Sequence, residues 1–427
     1  MLSFINTFNL ITFAVLCAMY VYQAIYVVLA LALKHRQQMW QAPQKLHRYA
    51  AVIAARNEET VIGELIRSIK NQNYPSGLLD IYVVADNCTD RTAEVARAAG
   101  AIVFERSNRQ AVGKGYALNY IFNMIEYSCS EQNYEGFFVF DADNLLDENY
   151  VAEMNKVFDG GYRIITSYRN SKNYAFNWIS AGYALWFLRE AAYLNNPRMM
   201  LNISCAVSGT GFLVSSEIIR KNGGWKHYLL TEDIEFSVDQ IIRGEMIGYC
   251  GRAVLYDEQP CTFGQSWSQR LRWAKGFYQV FHQYGGRLAA SLFTRKTHWF
   301  SSYDILMTIM PSMLLFLLST LVNLSFFAYG LLAGRLHIVS TASLAVLWSF
   351  GNYYATLFAV GLLTTITEWR QIACPAGRKI LYLFTFPVFV LTYIPISIVA
   401  LFKHVEWKPI VHSFSVSLSD IRKEPTR

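Results

Sequence analysis

The stretch Phe137–Asn144, FFVFDADN, decides the fold of this chain. Four apolar residues followed by charge are typical of a buried strand in an α/β sheet, and ligands of such sheets collect where the strands end. The run ends in two carboxylates, Asp141 and Asp143. Two acids at a cleft repel each other unless a cation lies between them and a phosphorylated ligand, so the pattern indicates a divalent metal. An isolated Asp-x-Asp more often caps a turn or a helix, so the neighbouring motifs have to decide.

Around this stretch, from about Tyr49 to Gly285, short apolar runs alternate with amphipathic segments. Strands that alternate with helices predict an α/β domain with parallel strands and right-handed crossovers. The first four strands then make a Rossmann-like half. Their predicted segments are AAVIAARNEE (50–59), LDIYVVADNCTD (79–90), AIVFERS (101–107) and FFVFDADN (137–144).

The composition indicates that part of the chain does not face water. Of 427 residues, 53% are hydrophobic and 16% are charged, against roughly a quarter charged in soluble proteins. Met1–Leu33 carries no charged side chain, and about 8–33 is long enough to cross a bilayer. It lacks the features of a cleaved signal peptide, so we predict a retained anchor. Lys34, His35 and Arg36 follow, which by the positive-inside rule delivers the next segment to the cytoplasm.

Three further apolar stretches, at about Tyr303–Leu332, Ile338–Ile366 and Ile380–Leu401, are each long enough to span. Three crossings from the cytoplasm would put the C-terminus outside. Basic residues beyond the last span argue instead for a C-terminus on the inside, so the sequence does not decide on which side of the membrane the C-terminus lies. These residues are Lys403, His404, Lys408, Arg422, Lys423 and Arg427.

We therefore predict a multi-pass membrane protein whose α/β domain lies in the cytoplasm. Its four regions are a transmembrane helix at 1–35, the α/β domain at 49–285, a membrane region at 286–402 and a basic tail at 403–427. Two aromatic helical segments, WISAGYALWFLREAAYL and QRLRWAKGFYQVFHQY, belong either to the membrane interface or to the core, and the pattern does not separate these readings.

Charge and cysteine content narrow the classes of partner. The net charge of +7 fits basic loops on anionic lipid and a phosphorylated substrate. No nucleic-acid-binding module or basic run is recognisable, so we expect no nucleic-acid partner. The seven cysteines are scattered without Cys-x-x-Cys spacing, which predicts reduced thiols and no structural zinc. The oligomeric state stays open.

Two polar clusters lie at turns where the predicted fold requires ligand contacts. Asp86 ends the second strand and can accept hydrogen bonds from a base or ribose, while Thr89 and Asp90 can cap the next helix. An Asx-turn alone would explain Asn87 and Asp90. Lys114, between two glycines, supplies a point charge suited to a diphosphate, although a lone Gly-Lys-Gly is usually only a turn. The spacing is not that of a P-loop, which excludes a nucleoside triphosphatase of that kind.

A third cluster, Thr231-Glu232-Asp233, puts three acids into one short polar turn with Glu235. This turn is either a helix N-terminus stabilised by the helix dipole or the site of a general base.

The fourth cluster is QRLRW, residues 269–273. On a helix, Gln269 shares a face with Arg272 and Trp273. Guanidinium groups suit a pyrophosphate leaving group and an indole face suits stacking on a sugar. A solvated basic face is the ordinary explanation of Arg270 and Arg272 taken singly.

The order of these motifs is more specific than any one of them. RNEE, DNCTD, GKGYALN, DADN, SGTGF, TED and QRLRW, flanked by membrane segments, resemble the processive family 2 glycosyltransferases of the cellulose, chitin and hyaluronan synthase type. The resemblance covers roughly 49–285 and, loosely, the flanking spans. It implies an α/β GT-A (Rossmann-like) cytoplasmic domain inserted between transmembrane helices.

The resemblance also implies roles for single residues. Asp86 would hold the uracil or ribose of a UDP-sugar, Lys114 would lie beside its diphosphate, and Asp141 would contact the nucleotide. Asp143 would ligate Mg or Mn bridging the diphosphate, and Asp233 would deprotonate the acceptor hydroxyl.

At the far end of the site, the resemblance implies that three side chains frame the diphosphate and two contact the acceptor. The first group is Gln269, Arg270 and Arg272, and the second is Trp273, stacked on the terminal sugar, with Glu232.

The implied activity is a single displacement with inversion that polymerises a UDP-hexose, by analogy glucose, into a β-linked polysaccharide and threads it outward. The alternatives are an N-acetylglucosamine-containing polymer of the chitin or hyaluronan type, a non-processive transfer to a lipid, and an inactive polysaccharide channel or scaffold. DNCTD keeps the acid of the family turn without its glycine. No F-x-V-T-x-K gating loop or cyclic-di-GMP-binding appendage is recognisable, which argues against cellulose itself.

Overall fold

The computed structural model describes residues 2–33, 40–294, 298–407, 410, 412 and 416–423. Several basic residues of the topology argument, Lys34, His35, Arg36, Lys408 and Arg427, lie outside these ranges.

A single mixed sheet of eight strands forms the centre of the α/β domain, in the order β3-β2-β1-β4-β7-β6-β8-β5. β1 lies between β2 and β4 and is parallel to both, as predicted, because its apolar residues are buried on both faces. The strands are β1 Tyr49–Ala55, β2 Leu79–Asp86, β3 Ile102–Arg106, β4 Gly136–Asp141, β5 Leu145–Leu146, β6 Ile164–Ser171, β7 Phe212–Ser215 and β8 Ile247–Asp257.

The second half of the sheet is not parallel throughout. β7 is antiparallel to both β4 and β6, whereas β6 and β8 are parallel with a register shift at Ser167/Tyr168. β7 is only four residues long, so its pattern does not reveal its direction. The predicted parallel arrangement is confirmed for β1 to β4 and does not extend across the sheet.

Helices cover both faces of the sheet. α2, α3 and α4 are the predicted crossovers between the first strands. The aromatic helix α6 begins with a capping box at Asn177 and is buried along most of its length, which favours the core reading for this segment. The helices are α2 Ile62–Lys70, α3 Thr92–Ala98, α4 Lys114–Ser128, α5 Tyr150–Asp159, α6 Trp178–Glu190, α7 Asn196–Met200, α8 Ser216–Asn222, α9 Glu232–Ile242 and α10 Phe263–Ser291.

Among the residues that the structure describes, four helical stretches are long and apolar enough to cross a membrane: Leu2–Ala32, Ser312–Leu332, Leu336–Thr367 and Ala376–Phe402. These correspond to the four predicted spans. The remaining helices are α1 Leu2–Ala32, α11 Trp299–Ile309, α12 Ser312–Leu332, α13 Leu336–Thr367, α14 Ala376–Leu391, α15 Tyr393–Phe402 and α16 Leu418–Lys423.

The candidate span in this region begins at Ser312, nine residues after the predicted start at Tyr303. The helix is interrupted at Pro311, which lacks an N–H to continue it, and α11 is a separate element before the break. α11 carries Asp304, which is buried and forms a bidentate ion pair with Arg198 at 2.7 and 2.8 Å. α11 therefore packs against α7 and α10 of the domain as an element separate from α12.

α10 crosses the predicted boundary at Gly285 as one uninterrupted helix. It packs against α9 of the α/β domain and against α15 at the end of the last apolar stretch. Gly182 of α6 makes a similar connection, because a β-carbon there would lie 2.4 Å from the ring of Phe389 in α14. The α/β domain and the apolar helices thus share packing surfaces.

Candidate active site

The carboxyl ends of β1, β2 and β4 bring the predicted acids to one edge of the sheet. Ala54 of β1 pairs in register with Asp141 of β4, and Ala55 pairs with Ala85, next to Asp86. The register therefore brings the polar turns after all three strands together.

Asp86 is 4% exposed and forms an ion pair with Arg106 at the end of β3. The Asn87 amide donates to the same carboxylate at 3.1 Å. Asp90 accepts from the Thr92 N–H at 3.0 Å, so it stabilises the start of α3 as the capping alternative stated. Sequence reasoning missed Arg106, which neutralises Asp86 on the predicted nucleotide side.

Lys114 and Asp141 form an ion pair inside the cleft. The Lys114 ammonium also donates to the Gly209 carbonyl at 2.8 Å. Burial lowers the pKa of Lys114, but the charges of Asp141, Glu232 and Asp233 outweigh it, so the net pKa is raised. Lys114 is thus a fixed cation between the Asp-x-Asp turn and the TED turn.

The two glycines beside Lys114 are each required for a different structural reason. Gly113 adopts φ 137°, a conformation that favours glycine. A β-carbon at Gly115 would lie 2.1 Å from the carbonyl oxygen of His227, so this glycine permits close packing of two backbone segments.

Asp143 is 5% exposed and accepts the Glu258 N–H at 2.8 Å. Burial raises its pKa, but His412, Lys172, the Glu258 N–H and Arg169 lower it, and the net pKa lies below the usual value. The carboxylate is therefore ionised at neutral pH.

This donor set fits a partial metal site. Within the described ranges, no group of three or more His, Cys, Asp and Glu side chains is arranged to hold an ion alone. Asp143, with Asp141 two residues away, offers the carboxylate oxygens that Mg²⁺ or Mn²⁺ takes when phosphate oxygens complete the coordination.

Sequence reasoning missed His412, although RNEE was recognised as a motif. The His412 Nδ1 lies 2.9 Å from Oε2 of Glu58. Burial lowers the pKa of His412, yet Asp143 and Glu58 raise it to about 10. The pKa of Glu58 rises to about 7, chiefly through burial. No local pattern marks His412, since only folding brings this residue to Glu58.

Glu232 and Asp233 begin α9, so the TED turn is a helix N-terminus. The pKa of Glu232 is raised to about 7 by burial and by the Asp233 charge, and burial also raises the pKa of Asp233. Glu235 is structural, because it accepts from the Leu229 N–H and the Tyr284 hydroxyl at 2.9 Å. A buried carboxyl pair with raised pKa values has the properties of a general base.

The QRLRW residues divide between two environments. Gln269 keeps a buried Oε1 without a hydrogen-bond partner among the described residues. Trp273 packs edge-on against Tyr183, with ring centroids 5.6 Å apart. Arg272 is half-buried, and its charge lowers the pKa of Glu232.

Arg270 lies in a different environment from the other residues of QRLRW. Its side chain is 0% exposed and donates to the Phe389 carbonyl at 2.9 Å and the Thr392 hydroxyl at 2.6 Å. The guanidinium lies over the Phe389 ring, 4.3 Å from its centroid. Arg270 therefore joins α10 to the junction of α14 and α15.

Arg169 on β6 is a second residue that the motifs did not reveal. It forms a 2.5 Å hydrogen bond with Asp257 and donates to the Ser208 carbonyl at 3.0 Å. A β-carbon at Gly209 would lie 3.8 Å from Asp233 Oδ2 and 3.9 Å from Arg169 Nη1, so both side chains flank this glycine. Asp257 directly precedes Glu258, whose N–H donates to the Asp143 carboxylate. This connects Arg169 to the half of the cleft that contains Asp143.

A family profile described as "Glycosyltransferase like family 2" matches residues 47–276. Curated relatives include "Probable glycosyltransferase YdaM" of Bacillus subtilis, 28% identical over 57% of this chain and 57% of the relative. "Beta-monoglucosyldiacylglycerol synthase" of Trichormus variabilis is 26% identical over 65% and 59%. "Poly-beta-1,6-N-acetyl-D-glucosamine synthase" of Staphylococcus epidermidis is 23% identical over 56% of each chain. The chain thus spans somewhat more than half the length of these relatives.

Similar solved structures include a mannosyltransferase, PcManGT of Pyrobaculum calidifontis, in complex with GDP-Man and Mn2+. It is 15% identical, with 80% of this chain and 99% of that chain covered and a TM-score of 0.47. S. aureus TarS 1-349 in complex with UDP-GlcNAc is 14% identical, with coverages of 81% and 91% and a TM-score of 0.42.

Proposed function

We propose that this chain, which belongs to glycosyltransferase family 2, is a membrane-integrated inverting transferase. In this proposal it polymerises a UDP-sugar into a β-linked polysaccharide. The preferred donor in this proposal is UDP-glucose. The polymer would leave through the apolar helices of 286–402 while the GT-A domain faces the cytoplasm. The whole protein would reside in the plasma membrane.

The observation that carries the proposal is the position of Lys114. Its ammonium pairs with Asp141 and contacts the Gly209 carbonyl, and it is within electrostatic reach of Glu232 and Asp233. One cation thus joins the Asp-x-Asp turn to a carboxyl pair suited to taking a proton. A donor diphosphate and an acceptor hydroxyl require such neighbouring groups.

On the donor side, Asp86 would hold the uracil or ribose, and Asp141 would contact the nucleotide. Lys114, Gln269 and Arg272 would offset the charge of the departing diphosphate. A divalent Mg or Mn bound through Asp143 would supply Lewis-acid neutralisation of the same charge.

On the acceptor side, Asp233 would accept the proton of the attacking hydroxyl. The oxygen then forms the new bond at the anomeric carbon while the bond to UDP breaks, which inverts an α-linked donor to a β-linked product. Trp273 and Glu232 would hold the terminal acceptor sugar. Burial of the acid pair supports this role, because a carboxyl with a raised pKa is a better base than an exposed aspartate.

A lipid acceptor is the second candidate. The relatives named as β-monoglucosyldiacylglycerol synthases favour it, and the same groups would deprotonate a lipid hydroxyl. The two candidates differ in the acceptor alone, so the product decides between them.

The test uses the purified full chain in lipid nanodiscs, with Mn²⁺ and a panel of radiolabelled UDP-sugars. Release of UDP together with a high-molecular-weight β-linked product would support the proposal. A product that moves with the lipid fraction after one transfer would instead establish the lipid acceptor. Absence of UDP release with every donor, in protein that still binds UDP, would leave only the inactive channel or scaffold.

A further inference from the structure

A cavity of about 170 Å³ lies where the ends of two candidate membrane spans meet the α/β domain. Ala30 and Leu31 of the last turn of α1 line one side, and Thr367 and Glu368 at the end of α13 line another. β6 and β8 form a further wall of the cavity. The cavity has room for several water molecules and hence for a small polar group.

The lining combines aromatic rings with hydrogen-bonding groups. Tyr168 donates to the Glu368 carboxylate at 2.7 Å, and the Tyr193 hydroxyl lies 2.7 Å from the hydroxyl of Thr367. Tyr249 also lies in the wall of the cavity. Rings that present a face beside carboxylate acceptors suit a molecule with many hydroxyl groups.

Charge argues against an anionic ligand. Two carboxylates, Glu153 and Glu368, line the cavity together with one guanidinium, that of Arg252. A site for phosphate or an acidic headgroup would show an excess of arginine or lysine. A neutral hydroxylated group fits this balance better.

The cavity is separate from the candidate active site. Tyr168 and Arg169 are consecutive on β6, so their side chains point to opposite faces of the sheet. Tyr168 reaches Glu368 beside the cavity, whereas Arg169 reaches Asp257 and the Ser208 carbonyl beside the cleft.

The apolar side of the cavity continues into the membrane-spanning part of α1. Leu31 lines the cavity, and Val28 and Ile25 follow along the same helix with 62% and 56% of their surfaces exposed. Acyl chains can lie against this exposed surface while a linked headgroup enters the cavity.

We propose that this cavity binds the neutral, polyhydroxylated headgroup of a membrane lipid, such as a hexose linked to diacylglycerol, as a site distinct from that of sugar transfer. The inference depends on the cavity and the candidate spans, and it is independent of which donor or acceptor the cleft uses.

The test measures lipid retained by the full-length protein. Nanodiscs of phosphatidylcholine containing equal amounts of monoglucosyldiacylglycerol and phosphatidylglycerol are prepared, and bound lipid is counted by native mass spectrometry after detergent extraction. We expect the glucolipid to be retained at least tenfold over phosphatidylglycerol. Ala192→Phe, which fills the cavity, and Tyr249→Phe, which removes one hydroxyl, should each reduce this retention at least fivefold.

Ala355→Phe is the matched control, because Ala355 is exposed on α13 away from the cavity lining. This variant should retain the glucolipid as the unaltered protein does, and UDP binding by all variants verifies that they are folded. Equal retention of both lipids, or unchanged retention by folded Ala192→Phe and Tyr249→Phe, overturns the proposal. Displacement of the glucolipid by millimolar free glucose would assign the cavity to a soluble sugar and likewise overturn it.

Discussion

The imidazole of His412 lies 2.9 Å from the carboxylate of Glu58, although 354 positions separate them in the chain. The charge of Asp143 also raises the pKa of His412, which places a C-terminal cation beside the predicted metal-binding acid. Trp407 lies near the same region, with the guanidinium of Arg56 5.4 Å from its ring centroid. His412 thus contributes to the electrostatics of the cleft.

Replacing this cation should change metal and nucleotide binding in opposite directions. His412→Ala removes a positive charge that repels a divalent ion and attracts a diphosphate. We expect Mn²⁺ to bind about tenfold more tightly without nucleotide, and UDP about tenfold more weakly without metal, each equivalent to ~1.4 kcal/mol. Isothermal titration calorimetry checks both, with His282→Ala on α10 as the control. A change of the same sign for both ligands would contradict this account.

Asp143 is predicted to be the main metal ligand of the chain. Asp143→Asn keeps the size of the side chain but removes the charge, so Mn²⁺ affinity should fall about a hundredfold. Electron paramagnetic resonance of free Mn²⁺ gives the affinity directly. Asp80→Asn, at the opposite end of the sheet beside Arg48, should leave it unchanged. If Asp143→Asn binds Mn²⁺ with unchanged affinity, Asp143 is not the main metal ligand and the site must be assigned to other residues.

The acid pair should set the low-pH limit of the reaction. The pKa of Glu232 is raised to about 7 by burial and by Asp233, and this repulsion is mutual. Activity should therefore fall as the pH drops, because burial raises the pKa of Asp233 and a protonated base cannot accept the acceptor proton. Glu232→Gln removes the like charge, lowers the pKa of Asp233 and should move the acid limb down by about one pH unit. If the acid limb of the pH profile of kcat/KM instead moves to higher pH in Glu232→Gln, electrostatic coupling between Glu232 and Asp233 is excluded.

Asp233→Asn should abolish transfer while UDP binding remains nearly unchanged, because the amide cannot accept the proton and Lys114 keeps its pair with Asp141. Turnover of UDP-sugar and equilibrium binding of UDP are measured on the same preparation. Full activity in this variant would remove Asp233 from the role of base.

The two arginines of QRLRW should behave differently on replacement by methionine. Arg270→Met removes the two hydrogen bonds that the buried guanidinium donates, to the Phe389 carbonyl and the Thr392 hydroxyl, so it should destabilise the protein by about 2 kcal/mol. Arg272→Met should leave the melting temperature nearly unchanged and raise KM for the donor about tenfold. Thermal unfolding in detergent and steady-state kinetics compare the pair. The opposite assignment would follow if Arg270→Met raised KM at unchanged stability.

Arg169 should act as a positioning residue. Arg169→Met breaks the contacts to Asp257 and the Ser208 carbonyl, so kcat should fall at least tenfold with a smaller change in KM. Arg169→Lys keeps the charge and should recover part of the rate. Loss of stability without this split between kcat and KM would assign Arg169 a structural role only.

Local sequence was sufficient for the first half of the sheet. The apolar runs of β1, β2 and β4 end in polar turns, so both the parallel arrangement and the clustering of Asp86, Asp141 and Asp143 followed from the alternation of strands and helices. The direction of β7 did not follow, because four buried residues carry no periodicity that distinguishes parallel from antiparallel pairing. Pro311 marks the interruption before α12 in the sequence. The residues on both sides of it are apolar, so the predicted span continued across it.

The sequence by itself determined the elements whose cause is local: the strands, the apolar helices and the order of motifs that identifies the family. Tertiary structure decided which side chains share an environment. It turned Arg270 toward α14 while leaving Arg272 half-buried, and it brought His412 to Glu58 and Arg169 to Gly209. The physical reason is that charges act over a few ångströms of space, whereas a motif records only neighbours along the chain. For FFVFDADN, the strand was encoded locally, and the cations that keep its second aspartate ionised came from distant parts of the fold.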